Sequence, residues 1–158
     1  MKVFKFPYLL PWSCKYISLI FLLIAGALYY VRYTLNIRPK FLDFNVFAIH
    51  SKFIETKTFA VIPNNMSEEI IGIFLLVSLY FLAFSKEKNE TQETNEIRLQ
   101  SFLLTALINS ILLIFAFLFF YGISFIIVLI IDIYAIFIIY YLIFRIKYNL
   151  YKHQAPSN

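Results

Sequence analysis

A single carboxyl group, Asp132, stands in the middle of IIVLIIDIYAIFIIYYLIF, residues 126–144, a run long enough to cross a bilayer. An ionisable side chain at that depth costs about 2.5 to 3.5 kcal/mol on insertion scales, so it is expected to face water or a polar partner rather than lipid. Two chemistries suit it: binding a proton or a cation during transport, or hydrogen bonding that holds helices together. Spacing selects Asn109 as the partner. The turn near Gly122 makes the apolar runs on either side antiparallel, and counting outward from it places Asn109 about three residues from the depth of Asp132, roughly 4.5 Å at 1.5 Å per residue. An amide there donates to a carboxylate or accepts from a protonated one. Ser110 and Tyr134 are further candidates for the hydrogen bonds of Asp132.

A second group of chemically capable residues is charged. The stretch SKEKNETQETNEIRLQ, residues 85–100, carries Glu87, Glu90, Glu93 and Glu96 at three-residue intervals, a slowly rotating stripe if the segment is helical. Its plain interpretation is a solvated extension of the next helix; the sharper one is an acidic docking strip. Arg98 has Thr94 and Asn95 one turn back rather than a carboxylate, which leaves its guanidinium for a bidentate partner, a lipid phosphate or another loop. Glu90, Glu93 and Arg98 are therefore the candidate cytoplasmic docking residues.

Catalysis finds little support. Cys14 is the only cysteine, so the chain makes no internal disulfide and no thiolate metal cluster. His50 and His153 are expected on opposite sides of the membrane and cannot share a metal. The sequence has three glycines and no phosphate-cradling loop, nucleophile elbow or zinc-protease motif. No His or Lys base is buried beside a membrane serine. No enzyme, catalytic residue, metal or cofactor is expected. The net charge of +5 carries no aromatic-basic pattern of the kind that binds nucleic acid, so none is expected as a partner.

The elements that must position these residues follow from composition. With 61% hydrophobic, 20% aromatic and 15% charged residues, the chain has too little polar surface for a soluble globule, and its apolar residues fall in long blocks rather than alternating. The expected fold is an all-α membrane protein, one integral domain over residues 1–158, with four transmembrane helices at 16–35, 70–84, 102–121 and 123–144. Ser67 is the expected N-cap of the short second span, with Glu68 and Glu69 in its first turn. Residues 36–65 form the only sizeable loop, where β-branched and aromatic runs at 45–49 and 58–62 predict a short antiparallel hairpin ended by Pro63-Asn64-Asn65. FKFPYLLPW, residues 4–12, is an expected interfacial segment anchored by Tyr8 and Trp12. Ala25-Gly26-Ala27 is expected to serve close helix packing rather than cleavage.

Lys and Arg counts set the orientation. The N-terminus, the 85–100 connector and the 145–158 tail hold nine of them, against five on the other side, Arg32 at the end of the first span and four in loop 36–65. Both termini and the connector are therefore expected in the cytoplasm, with loop 36–65 outside.

The segments FLDFNVFAI, NNMSEEI, LAFSKEKNE and EIRLQS, spread over residues 41–101 with the closing helical hairpin behind them, resemble an uncharacterised group of small four-span inner-membrane proteins of Bacteroidota. The resemblance implies the four-span fold in a bacterial inner membrane and no activity. Members of that group more often carry an amide at the place of Asp132, which weighs against a proton-carrying role. The expected function is a non-catalytic accessory or regulatory subunit of a larger membrane assembly, with the lipid bilayer and other inner-membrane subunits as partners. The alternative is a small oligomeric transporter or channel in which Asp132 couples to a proton or cation.

Overall fold

A computed structural model describes residues 9–52, 56–88 and 90–154 of the chain. Tyr8, Lys2, Lys5 and the far end of the tail lie outside the described residues. Helix α1 (Cys14–Tyr29) continues through a π-helical turn, Tyr30–Thr34, and a 3-10 turn, Lys40–Leu42, leads into strand β1 (Asp43–Lys52). Strand β2 (Thr56–Asn65) precedes α2 (Ser67–Phe84), α3 (Gln92–Phe119) and α4 (Ile123–Gln154).

Four helical stretches among the described residues, Cys14–Thr34, Ser67–Phe84, Gln92–Phe119 and Ile123–His153, are long and apolar enough to cross a membrane. The shortest has 18 residues and reaches about 27 Å at 1.5 Å per residue, just the depth of a hydrocarbon core. Only 6% of the apolar window of α4 is buried within the chain, and outward residues such as Ile126, Ile127, Ile130 and Ile131 are aliphatic. Lipid is the solvent such a surface needs. The protein is a multi-pass helical membrane protein with an antiparallel hairpin between its first two helices. Both α3 and α4 outrun their expected spans, α3 starting at Gln92 and α4 ending at Gln154, because their polar ends continue the helix beyond the apolar run.

The chain forms two compact units, Ile20–Leu75 on the one hand and Met1–Leu19 with Leu76–Asn158 on the other. Within the first, Phe21 meets Phe74 at 5.1 Å between ring centroids, and Arg32 pairs with Glu68 at 2.7 Å. The hairpin runs in register from Asp43 opposite Asn65 to Lys52 opposite Thr56. Its strands are longer than the sequence suggested. Pro63 does not end β2 but sits inside it, opposite Asn45; in a two-stranded ribbon each strand keeps an unpaired edge, where a missing N–H is tolerated. The α2 start also differs from expectation. Ser67 is the first helical residue, and the capping oxygen belongs to Asn65, which accepts from the Ser67 N–H at 3.2 Å. Of the small-residue trio only Ala25 is buried; a Cβ at Gly26 would meet no atom within 4 Å.

Within the second unit, Ser18 and Ser78 each donate to the other's backbone carbonyl at 2.9 Å, joining α1 to α2. Gly122, at φ +62°, provides the left-handed turn that folds α4 back along α3. One face of α3 is buried along its length through Thr94, Arg98, Ser101, Thr105, Asn109 and Ala116. Ser101 and Thr105 satisfy their hydroxyls on carbonyls four residues earlier, the solution open to small polar side chains where water is absent.

Candidate functional site

The buried face of α3 carries a polar group near each end. Toward its C-terminal half stands Asn109, enclosed to 7% exposure. Its amide Nδ2 donates to Oδ2 of the half-buried Asp132 on α4 at 3.2 Å. The structure thus brings these two sequence-selected residues together. Ser110 is exposed and donates to the carbonyl of Ala106 instead. The amide oxygen, Asn109 Oδ1, is enclosed and has no hydrogen-bond partner among the described residues. An acceptor left bare in a low-dielectric setting costs free energy, so the pair holds a place for one more donor.

At the other end of the face lies Arg98, exposed to only 1%. Its Nε and Nη2 donate to the two oxygens of Glu90 at 2.9 and 3.2 Å, and Nη2 also donates to the Ser85 carbonyl at 2.9 Å. The guanidinium lies 4.2 Å from the ring centroid of Phe144 on α4. One side chain therefore ties together the connector, the carbonyl end of α2 and α4. Of the partners the sequence left open to this guanidinium, the bidentate one is found within the chain: the carboxylate comes from the connector, which turns back because α3 begins only at Gln92.

The same helix start divides the glutamate stripe. Thr91 caps α3, accepting from the Thr94 N–H at 3.3 Å while Thr94 Oγ1 accepts from the Thr91 N–H at 3.4 Å. Only Glu93 and Glu96 lie on the helix, and both are exposed. Glu90 is engaged by Arg98, and its Oε2 also accepts from the Glu87 N–H at 2.7 Å. Glu87 in turn meets Lys15 at 2.6 Å and Arg145 at 3.7 Å. Of the three candidate docking residues, Glu93 alone presents its charge to solvent. Beside this cluster opens a cavity of about 410 Å³, lined by Glu87, Lys88, Thr91 and Arg145 among others.

No family model, curated protein or solved structure matches the chain. The arrangement must speak through its own chemistry. Two intramolecular clasps, Asn109–Asp132 and Glu90–Arg98, both join α3 to its surroundings. Among the described residues, no three His, Cys, Asp or Glu side chains come together to hold a metal ion; Cys14 is half-buried and His50 exposed.

Sequence reasoning missed three contributors here. Lys15, Glu87 and Arg145 entered only as charges to be counted or spaced, and nothing in their separation along the chain announces an ion triad. The Ser18–Ser78 pair had a weak signal, one serine in each of two apolar runs. Thr91 had a stronger one. A Thr three residues before another hydroxyl, with Glu93 between, is a helix-start pattern, and it would have placed Glu87 and Glu90 outside α3.

Proposed function

We propose that this protein is a non-catalytic accessory or regulatory subunit of a larger assembly in a bacterial inner membrane, with its termini in the cytoplasm and its hairpin outside. One observation carries this view: the hairpin keeps an apolar face uncovered. Phe47, Ile49, Phe59 and Val61 are 64, 66, 73 and 68% exposed, and register places Phe47 opposite Val61 on adjacent strands. Side chains of this kind gain about 1.5 to 3 kcal/mol each on full burial. The hairpin has only two strands, so both outer edges offer unpaired backbone groups. The occupant that fits both features is an extended segment of another membrane subunit, adding a strand while its own apolar side chains cover the patch. The polar clasps support the same view, since Arg98 and Asp132 are engaged inside the chain.

A photo-crosslinking residue in place of Phe47, in the native membrane, tests this. The expected result is an adduct to one protein, together with release of that same protein from the Phe47→Ser, Val61→Ser chain purified under native conditions. Adducts to lipid alone, or full retention of the partner by the double variant, would refute it.

A second function, a small oligomeric transporter or channel coupled through Asp132, is favoured by the bare Oδ1 of Asn109 beside that carboxyl group. It requires Asp132→Asn to abolish ion flux in reconstituted vesicles while the protein still folds.

A further inference from the structure

The unit Ile20–Leu75 contains a cleft of about 810 Å³, within the size range of ligand pockets. It is lined by three cations, Arg32, Arg38 and Lys40, and three carboxylates, Asp43, Glu68 and Glu69, with Phe44, Pro63 and the hairpin asparagines between them. Formal charges cancel, yet most are not neutralised by one another. Arg32 Nη2 takes Glu68 at 2.7 Å. Among the described residues, Arg38 and Lys40 enter no ion pair. Asp43 and Glu69 are met, among the described residues, only by neutral amides, Asn65 at 2.6 Å and Asn64 at 2.8 Å. Arg32 also keeps its Nε enclosed with no hydrogen-bond partner. Two cations without an ion pair and two carboxylates without a cation thus line one cavity.

Depth identifies what such a cavity meets. Arg32 belongs to the π-helical turn by which α1 leaves its apolar run, and Tyr29, Tyr30 and Tyr33 around it are exposed, the side chains that settle at the headgroup layer. Glu68 and Glu69 sit in the first turn of α2, where the next apolar run begins. The cleft therefore opens at headgroup level. We propose that it binds the headgroup of a zwitterionic phospholipid carrying a primary ammonium, as in phosphatidylethanolamine. The phosphate lies between Arg38 and Lys40, and the ammonium between Asp43 and Glu69. A phosphate takes charge-assisted donors of this kind. Carboxylates accept hydrogen bonds from a primary ammonium, whereas a quaternary one has none to give and is held by aromatic cages, of which Phe44 alone is not one. The site is independent of the hairpin's apolar face and of any protein partner.

The test is native mass spectrometry of the purified full chain in detergent, titrated with phosphatidylethanolamine, phosphatidylcholine or phosphatidylglycerol, with soluble glycerophosphoethanolamine and inorganic phosphate as competitors. Phosphatidylethanolamine is expected to bind about tenfold more tightly than the choline lipid, the worth of one or two charge-assisted hydrogen bonds. R38Q with K40Q should weaken it by at least that factor. Glu69→Gln should reduce the preference over choline, Asp43 remaining, while leaving phosphate-dependent binding. Arg38, Lys40 and Glu69 are exposed, so thermal unfolding of the variants should match that of the parent. Equal binding of the choline and ethanolamine lipids by the parent chain would overturn the proposal without recourse to any variant. So would a preference for phosphatidylglycerol, or displacement of the lipid by glycerophosphoethanolamine or phosphate at equal concentration, which would assign the cleft to a free phosphate compound.

Discussion

Replacing Arg98 by Ala should be among the most damaging single changes in the chain. The side chain is 1% exposed, and its partner Glu90 is 17% exposed, so solvent screens the pair little. The substitution removes a bidentate bond to Glu90 and a donor to the Ser85 carbonyl, strips Phe144 of its cation and leaves a carboxylate enclosed without a counter-charge. Removing one member of a buried pair typically costs about 3 to 5 kcal/mol, most of it from the charge left behind. Arg98→Lys keeps the charge but loses the planar fork; an intermediate loss of about 1.5 to 3 kcal/mol is expected, the worth of hydrogen bonds to a charged group. Glu90→Gln keeps an acceptor for Nε but leaves the buried guanidinium without a counter-charge, so a loss comparable to that of Arg98→Ala is expected. The double change Arg98→Met with Glu90→Met should recover much of the loss, since an apolar pair leaves no orphaned charge. Reversible unfolding in mixed micelles, read as a double-mutant cycle, measures these differences. A loss below about 1 kcal/mol for Arg98→Ala, with no coupling to Glu90, would mean that the guanidinium is solvated in the folded chain and the clasp has no energetic content.

Asp132→Asn should leave folding intact because an amide still bonds Asn109, whereas Asp132→Leu should cost about 1 kcal/mol in the same unfolding assay, the usual worth of an interhelical hydrogen bond in a membrane; equal stability of the two variants would show that the 3.2 Å contact contributes nothing. Cysteines placed at Thr56 and Thr91 in a Cys14→Ser background should label from opposite sides of the membrane, Thr91 from the cytoplasm, and the inverse pattern would overturn the orientation drawn from Lys and Arg counts.

The helices were legible because a bilayer imposes their length and apolarity, and the hairpin because β-branched runs flank a polar turn. The Asn109–Asp132 contact was legible for a similar reason: a tight turn at Gly122 leaves two antiparallel helices little freedom of register. Arg98 was not. Its expected surroundings assumed that the helix ran unbroken through Glu87 and Glu90, and once Thr91 caps α3 those two glutamates belong to a connector whose path depends on what it meets. Lys15 and Arg145 come from opposite ends of the chain and Glu87 from its middle, and ion pairs between distant segments leave no period to detect. The cleft residues Arg32, Arg38 and Lys40 were visible only as charges for orientation; their chemistry needed the π-helical turn and the α2 start to be placed beside the strands.

The distribution of satisfied and unsatisfied polar groups divides structural chemistry from functional chemistry. Ser18 and Ser78 satisfy each other, Ser101 and Thr105 satisfy themselves on α3, and Arg98 and Glu90 close on each other. Such closure is what a low-dielectric setting demands, and on α3 only the Oδ1 atoms of Asn95 and Asn109 stay enclosed without a partner among the described residues. Arg38 and Lys40, by contrast, enter no ion pair among the described residues, and the same unit leaves the hairpin face Phe47, Ile49, Phe59 and Val61 uncovered. Fully hydrated loops tolerate free lysines, but an enclosed guanidinium donor and four exposed apolar side chains both lose free energy until something covers them. The unit Ile20–Leu75 thus holds both the charged cleft and the uncovered apolar hairpin face.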